Sequence, residues 1–277
     1  MGLALPEYAP AEWRLIIEDE PHSGAWNMAL DEAIMDAVGA GDAPPTLRLY
    51  QWAPPCLSLG KRQPLSGVDL SRCREDHIDV VRRATGGWAI LHTDELTYSI
   101  ATRPDDPRAE GAILDAYRRL SAGLIAGLHL LDVPAVMNPV DPIGVHNASA
   151  ACFEVPSAYE ITVGTQKLIG SAQTRPSGRV LQHGSLPLQG DIARLVRYLW
   201  FQTEDDREAL AEHLRERAVT LSALRRRDVS FAEVADAMTR GFSAALRISL
   251  VSGTPTTAEL AAAERVAREK EQALATA

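Results

Sequence analysis

The sequence predicts an α+β protein, a mixed β-sheet flanked by α-helices with a helical C-terminal portion. Three observations carry this expectation. Short apolar or alternating runs bounded by turn formers fill much of the first two thirds, two long stretches of helical periodicity interrupt them, and from Asp191 onward almost every apolar spacing is helical. No internal repeat, low-complexity linker or compositional break divides the 277 residues. One domain over 1–277 is therefore expected, with a core over about 1–250 and a helical tail over 251–277.

The first helix is expected over Ser23 to Gly41, where Trp26, Leu30, Ala33, Ile34, Ala37 and Val38 recur at helical spacing and Gly39 stands near the end. Strands follow at Thr46 to Gln51, Cys56 to Leu59, Val80 to Ala84, Trp88 to Leu91 and Leu96 to Ala101, separated by Pro54-Pro55 and other turn residues. Pro107 to Leu131 returns to helical spacing, with Ile113, Tyr117, Leu120, Leu124 and Leu128 on one side. Tyr159 to Val163 alternates like a strand, Gly164-Thr165 reads as a two-residue turn, and Gln166 to Ala172 returns as the second arm of a hairpin. Val180 to Leu188 adds another strand. Ser230-Phe-Ala-Glu233 and Thr256-Thr-Ala-Glu259 both have the form of a capping box. The first opens a helix on Val234, Ala237, Met238 and Leu246. The second precedes an Ala-, Glu- and Arg-rich tail whose poor apolar stripe predicts weak packing.

Composition narrows the classes of function. A 46% hydrophobic content supports a proper core. The formal net charge of -9 argues against general nucleic-acid binding, which rests on phosphate neutralisation by clustered cations. The Arg225-Arg226-Arg227 triplet reads either as a solvated helix face or as a place where an acidic partner docks. The N-terminus has no basic segment followed by an apolar run, and no stretch reaches the roughly 18 uninterrupted apolar residues of a membrane span. A cytoplasmic protein with no membrane contact is the expectation. Cys56, Cys73 and Cys152 form no CxxC pair and are odd in number, which points to reduced thiols rather than a disulfide framework or a structural zinc site.

Two constellations carry chemistry. The first is Ser149-Ala-Ala-Cys152-Phe-Glu-Val-Pro-Ser157 followed by Lys167. A free thiol with a pKa of about 8.5 is only a few per cent thiolate at neutral pH, so a nucleophilic cysteine needs a cation or base beside it. The hairpin would return Lys167 toward the loop that bears Cys152. A cysteine between alanine and phenylalanine is ordinarily a small buried hydrophobe, and a lysine near a hairpin turn is ordinarily solvated, so neither residue suffices alone. The second constellation is Arg82-Arg-Ala-Thr-Gly-Gly-Trp-Ala-Ile-Leu-His92. Its Gly86-Gly87 pair allows close backbone approach and offers N–H donors to an oxyanion, while Arg82, Arg83 and His92 flank a position suited to a carbonyl or phosphate group. A Gly-Gly pair by itself is an ordinary hairpin turn.

The run Arg82 to His92 matches Arg-Arg-x-Thr-Gly-Gly-x-Ala-x-x-His, and with it the chain resembles the biotin/lipoate protein ligase and transferase family over most of its length. Asn27-Met-Ala-Leu-Asp-Glu32, Gly170-Ser171-Ala172 and Gln182-His183-Gly184-Ser185 belong to the same resemblance. It implies the biotin/lipoate ligase-like catalytic fold. Within the family, the Ser-Ala-Ala-Cys-Phe-Glu segment and the later lysine are similar to those of octanoyltransferases that act on octanoyl acyl-carrier protein and a lipoyl-domain protein, the glycine cleavage H protein. That likeness implies Cys152 as the acyl-accepting nucleophile and Lys167 as the group that lowers its pKa. Arg82, Arg83, Gly86, Gly87, His92, Gly170, Ser171, Ala172, His183 and Gly184 are the implied substrate-binding positions, and neither cofactor nor metal is implied. Both presumed partners are acidic, so recognition by an acidic enzyme must be local, with Arg82, Arg83, Arg118 and Arg119 as candidates. Trp88 stands where relatives usually place a small or basic residue, which leaves the acyl-chain length preference open. Three other readings stand beside this one: an ATP-dependent lipoate or octanoate ligase, a transferase moving octanoyl between lipoyl domains, and an acyl-binding protein without catalysis.

Overall fold

The computed structural model describes residues 8–139 and 159–275. Among them the main sheet is built from β1 (Ala11–Ile17), β2 (Thr46–Tyr50), β6 (Glu95–Thr102), β7 (Val136–Pro139), β8 (Tyr159–Val163), β9 (Gln166–Thr174), β10 (Val180–Pro187) and β11 (Ile248–Ser252). Their order is β11-β1-β2-β6-β10-β9-β8-β7. β1 runs parallel to β11 and β2, and the other neighbours pair antiparallel, so the sheet is mixed as expected. A smaller sheet sets β3 (Cys56–Leu59) between β4 (Asp79–Arg82) and β5 (Ile90–His92).

Helices cover both faces of the main sheet. α1 (Gly24–Ala40) begins where the Ser23 hydroxyl accepts the Trp26 N–H and ends at Gly41, whose φ of +83° is left-handed backbone that glycine adopts freely. It packs with α7 (Thr257–Ala275) on the face that presents Ile16, Ala101 and Leu181. α3 (Ile113–Leu130) and α6 (Phe231–Leu246) cover the opposite face, over Trp13, Leu15, Leu47, Leu49, Tyr98 and Ile100. Leu15 and Ile16 thus point to opposite helical layers, the two-residue period of a strand buried on both sides. α3 and α6 meet at glycines: a Cβ on Gly241 would lie 2.2 Å from the Gly127 N. A second core joins Leu57, Leu59 and Ile90 of the small sheet to a 3-10 segment (Ile192–Tyr198) and α4 (Glu204–Arg217).

The hairpin Tyr159 to Ala172, the first helix and the Ser230 capping box match expectation; the Ser230 hydroxyl accepts the Glu233 N–H. Three features differ. The helix expected from Pro107 begins only at Ile113, because residues 107–112 form turns ahead of it. The region after Asp191 is not uniformly helical, since Ile248–Ser252 leaves α6 and becomes a parallel edge strand beside β1. The tail expected to pack weakly is anchored: Ala263 and Ala267 are buried against α1, and small side chains suffice for a close helix contact. Its capping box closes in both directions, with the Thr256 hydroxyl accepting the Glu259 N–H and Glu259 Oε2 accepting the Thr256 N–H.

Candidate active site

Ten of the twelve residues expected from the sequence line one cavity of about 350 Å³ with mainly apolar walls. Met28 of α1, Tyr50, Trp52, Trp88 and Ile90 contribute walls, and Ile113, Leu114 and Tyr117 approach from the first turns of α3. Gly86 and Gly87 enter from the loop after β4, Gly170, Ser171 and Ala172 from β9, and His183 and Gly184 from β10. Gly184 has no room for a side chain, because a Cβ there would lie 2.5 Å from the Gly170 carbonyl and the Ser171 hydroxyl. Arg83, His92 and Lys167 also line the cavity. Cys152 lies outside the described residues.

Lys167 is buried, and its ammonium pairs at 2.8 Å with Glu160, which is buried on β8. The register sets Thr162 opposite Lys167, with a β-bulge between Ile161 and Thr162. A bulge re-aims the side chains that follow it. The backbone carbonyl of Lys167 accepts the Val219 N–H, which ties this end of β9 to the segment after α4.

Beneath the cavity lies a polar floor. The imidazole of His92 pairs at 2.7 Å with Glu95 through Nδ1 and at 2.7 Å with the Ser58 hydroxyl through Nε2, and it stacks on Trp52 with 4.0 Å between ring centroids. This serine, histidine and glutamate line up as in a nucleophilic triad, but Ser58 is wholly buried and its oxygen also accepts from Arg83. Glu95 accepts further from Thr97 and from Ser185, at 2.6 Å for the latter. The group acts as a braced wall. His183 stands on a parallel arrangement, with Nδ1 3.3 Å from Asp31 and Nε2 2.6 Å from the Thr85 hydroxyl. Burial pushes the His183 imidazole below its ordinary value, the Asp31 contact opposing it. Burial likewise works against the Asp31 carboxylate, yet the Arg48 guanidinium and the His183 hydrogen bond outweigh it and hold that carboxyl below the usual range. A neutral His183 facing an ionised Asp31 carries its proton on Nδ1 and accepts the Thr85 hydroxyl on Nε2.

The two arginines do not offer the cavity the free guanidinia that their sequence suggested. Arg83 donates to the carbonyls of Ser58 (3.0 Å), Gly86 (2.8 Å) and Trp88 (2.8 Å), so it shapes the Gly-Gly loop from beneath. Arg82 does not line the cavity and donates to the carbonyls of Gly60 and Gln63, both at 2.7 Å. An arginine fork presents five donors and no acceptor, which suits it to gather carbonyls in a loop. Gly87 has a φ of +92°, so the turn needs glycine there. Arg119 is committed to the carbonyls of Arg108 and Glu110, and in the arginine triplet Arg227 pairs with Glu233 while Arg225 bonds Leu131 and Asp132.

Asp31 lay inside the motif Asn27 to Glu32 with no role assigned to it, and Glu160 and Glu95 were not singled out. Asp31 had a signal, an acid on the otherwise apolar stripe of α1. Glu160 and Glu95 had none, since a carboxylate in or at the start of a strand usually faces solvent. The remaining cysteines are unsuited to nucleophilic work: burial pushes the Cys56 thiol well up and the Cys73 thiol up to about 11. Among the described residues no group of three or more His, Cys, Asp or Glu side chains gathers as a metal site, and no helix is long and apolar enough to cross a membrane.

The model of the lipoyl protein ligase A/B catalytic domain matches residues 23–243. The chain belongs to this family. It is 38% identical over 265 residues to the octanoyltransferase LipM of Brevibacillus brevis, covering 94% of this chain and 96% of that one. Against the octanoyltransferase LipM of Symbiobacterium thermophilum it is 42% identical over 267 residues, covering 93% and 95%. Among solved structures, a bipartite lipoate protein ligase of Thermoplasma acidophilum superposes with a TM-score of 0.79 at 26% identity, covering 95% of this chain and 94% of that one. A lipoate-protein ligase A bound with ATP superposes with a TM-score of 0.76 at 26% identity, covering 94% and 96%. The fold is the lipoate-protein ligase fold.

Proposed function

We propose that the chain transfers octanoyl through a thioester on Cys152, with Lys167 as the activating and proton-carrying group. The chain is an octanoyltransferase of lipoate assembly, and its acceptor is a lipoyl domain. We assign acyl-carrier protein as the donor and the glycine cleavage H protein as the acceptor that this reading names. The observation that carries the reading is a buried lysine lining an apolar cavity in a chain that is similar over nearly its whole length to octanoyltransferases LipM.

The chemistry divides into two half-reactions. The Cys152 thiolate attacks the octanoyl carbonyl, the bond to the donor sulfur breaks, and the departing pantetheine thiolate takes a proton from the Lys167 ammonium. The acceptor lysine amine then attacks the acyl-enzyme carbonyl and gives a proton to the neutral Lys167, the bond to the Cys152 sulfur breaks, and the resting thiolate and ammonium are restored. Exchange of one thioester for another is nearly isoenergetic and conversion to an amide is downhill, so the sequence runs without an external energy source. As an ammonium Lys167 favours the thiolate, and in its neutral form it accepts the proton of the incoming amine. Glu160 fixes the direction of that side chain. At about 0.8 kcal/mol per buried CH2, the half-dozen methylenes of an octanoyl tail contribute roughly 5 kcal/mol against the apolar walls.

Intact-protein mass spectrometry of the purified chain with octanoyl acyl-carrier protein, without ATP, tests this. An octanoyl adduct is expected on the wild type, discharged by hydroxylamine or by a lipoyl domain, and absent from Cys152→Ala. Failure to form the adduct without ATP, with acylation of the lipoyl domain once octanoate, ATP and magnesium are supplied, would establish a ligase instead.

A further inference from the structure

We propose that the open groove beside the acyl cavity binds the phosphate of the donor's phosphopantetheine arm, with Lys61 and Arg62 as its cationic partners. The proposal rests on the transferase reading and names where its donor is held. The groove measures about 570 Å³ and contains Lys61, Arg62 and Thr174 together with Gly86, Gly87 and Trp88. Those last three residues also line the acyl cavity, so one loop forms the threshold between a basic groove and an apolar chamber. Both cationic side chains are exposed, and neither makes a hydrogen bond or ion pair among the described residues.

The segment that carries them is held firmly. Arg82 gathers the Gly60 and Gln63 carbonyls, and the Lys61 N–H donates to Thr85 at 2.8 Å. A Cβ on Gly60 would lie 1.9 Å from the Gly87 carbonyl oxygen, so the two loops are in backbone contact. Arg82 thus serves the anion site indirectly, by setting the loop that presents its neighbours' charges. The distance also fits. β9 has Lys167 in the cavity and ends at Thr174 in the groove. At about 3.3 Å per residue that run spans roughly 23 Å, the scale of an extended phosphopantetheine arm whose thioester end lies at Lys167. On a protein of net charge -9 an anion needs such a local pair of cations, and a lysine with an arginine supplies a point charge beside a planar fork.

The test compares two small donors, S-octanoyl-phosphopantetheine and S-octanoyl-pantetheine, which differ only in the phosphate. The measured quantity is the ratio of their kcat/KM values for formation of the octanoyl adduct on the full chain. Wild type is expected to prefer the phosphorylated donor by about tenfold, the equivalent of one well-made charge-assisted contact, with a preference that shrinks as salt is raised. In Lys61→Ala, Arg62→Ala the ratio should collapse toward one, and in Lys61→Glu, Arg62→Glu it should fall below one. A ratio unchanged by either double variant overturns the proposal. Adduct formation with no preference in the wild type also overturns it while leaving the transferase route intact. No adduct from any thioester donor, octanoyl acyl-carrier protein included, overturns the transferase route and this assignment with it.

Discussion

Two buried cation–carboxylate pairs share the same chemistry and differ in setting. At one end Arg14 of β1 grips Glu259 of α7, with Nη1 at 2.8 Å and Nη2 shorter still within hydrogen-bonding distance. Arg14 Nε also donates to Thr46, Nη1 donates to the Thr254 carbonyl, and neither member of the pair lines the acyl cavity or the basic groove. At the other end Lys167 meets Glu160 through one oxygen at 2.8 Å and faces the chamber. The first pair is saturated by a fork that leaves no direction for a ligand. The second meets its carboxylate through one oxygen, and its side chain lines a space large enough for substrate. A buried charge is thus structural or chemical according to whether its side chain is enclosed by protein or lines a cavity.

The contrast can be broken first at Lys167. Lys167→Met should lower octanoyl transfer by roughly 10²- to 10⁴-fold, the range of general acid–base contributions, and should also destabilise the fold because Glu160 is left buried without this cation. The double variant Lys167→Met, Glu160→Gln separates the two effects. Its melting temperature should recover while its transfer rate does not; recovery of both would make the pair structural, like its counterpart on α7.

Glu259→Ala is the complementary measurement. Removing one partner of a buried pair costs about 3–5 kcal/mol, read as a lower denaturation midpoint in urea, while transfer by the folded fraction should stay near wild type. A loss of transfer in the folded enzyme would show that the tail reaches the site after all.

A smaller effect is expected in acid. Burial alone raises the Glu259 carboxyl, but hydrogen bonds from Arg14 and Thr256 outweigh it and set the pKa below the ordinary glutamate value. A depressed folded-state pKa contributes stability that is complete above the unfolded value of about 4.3 and is lost as pH falls through the folded value. Wild type should therefore lose melting temperature on acidification below about pH 4.3, and Glu259→Gln should start lower and show a shallower slope over the same window. Equal slopes would assign the acid transition to other carboxylates, Asp31 foremost.

Much of this molecule is legible in its residues. Helix α1 and the Lys167 hairpin follow from local chemistry, a serine cap with glycine stop in one and a two-residue turn between alternating runs in the other. The capping boxes at Ser230 and Thr256 are equally local. The cavity's glycines and histidines are found through the family motif. The strands β1, β7 and β11 are not legible, because such short runs acquire their identity from neighbours distant in sequence; Ala11 pairs with Ile248. The tail was misjudged for a related reason: a stripe of alanines looks weak until a second helix of small residues lies against it.

Changes of chain direction, apolar faces and the residue types that stand ready for acyl chemistry depend on neighbours within a few positions, and so they can be read directly from the order of residues. That Arg82 and Arg83 serve loop carbonyls while Lys61 and Arg62 stay exposed in the groove, and that Glu160 meets Lys167, emerges from the packed fold. A side chain's partners are set by distances between segments far apart in the chain, and charge alone cannot say whether a cation faces a carbonyl, a carboxylate or a substrate.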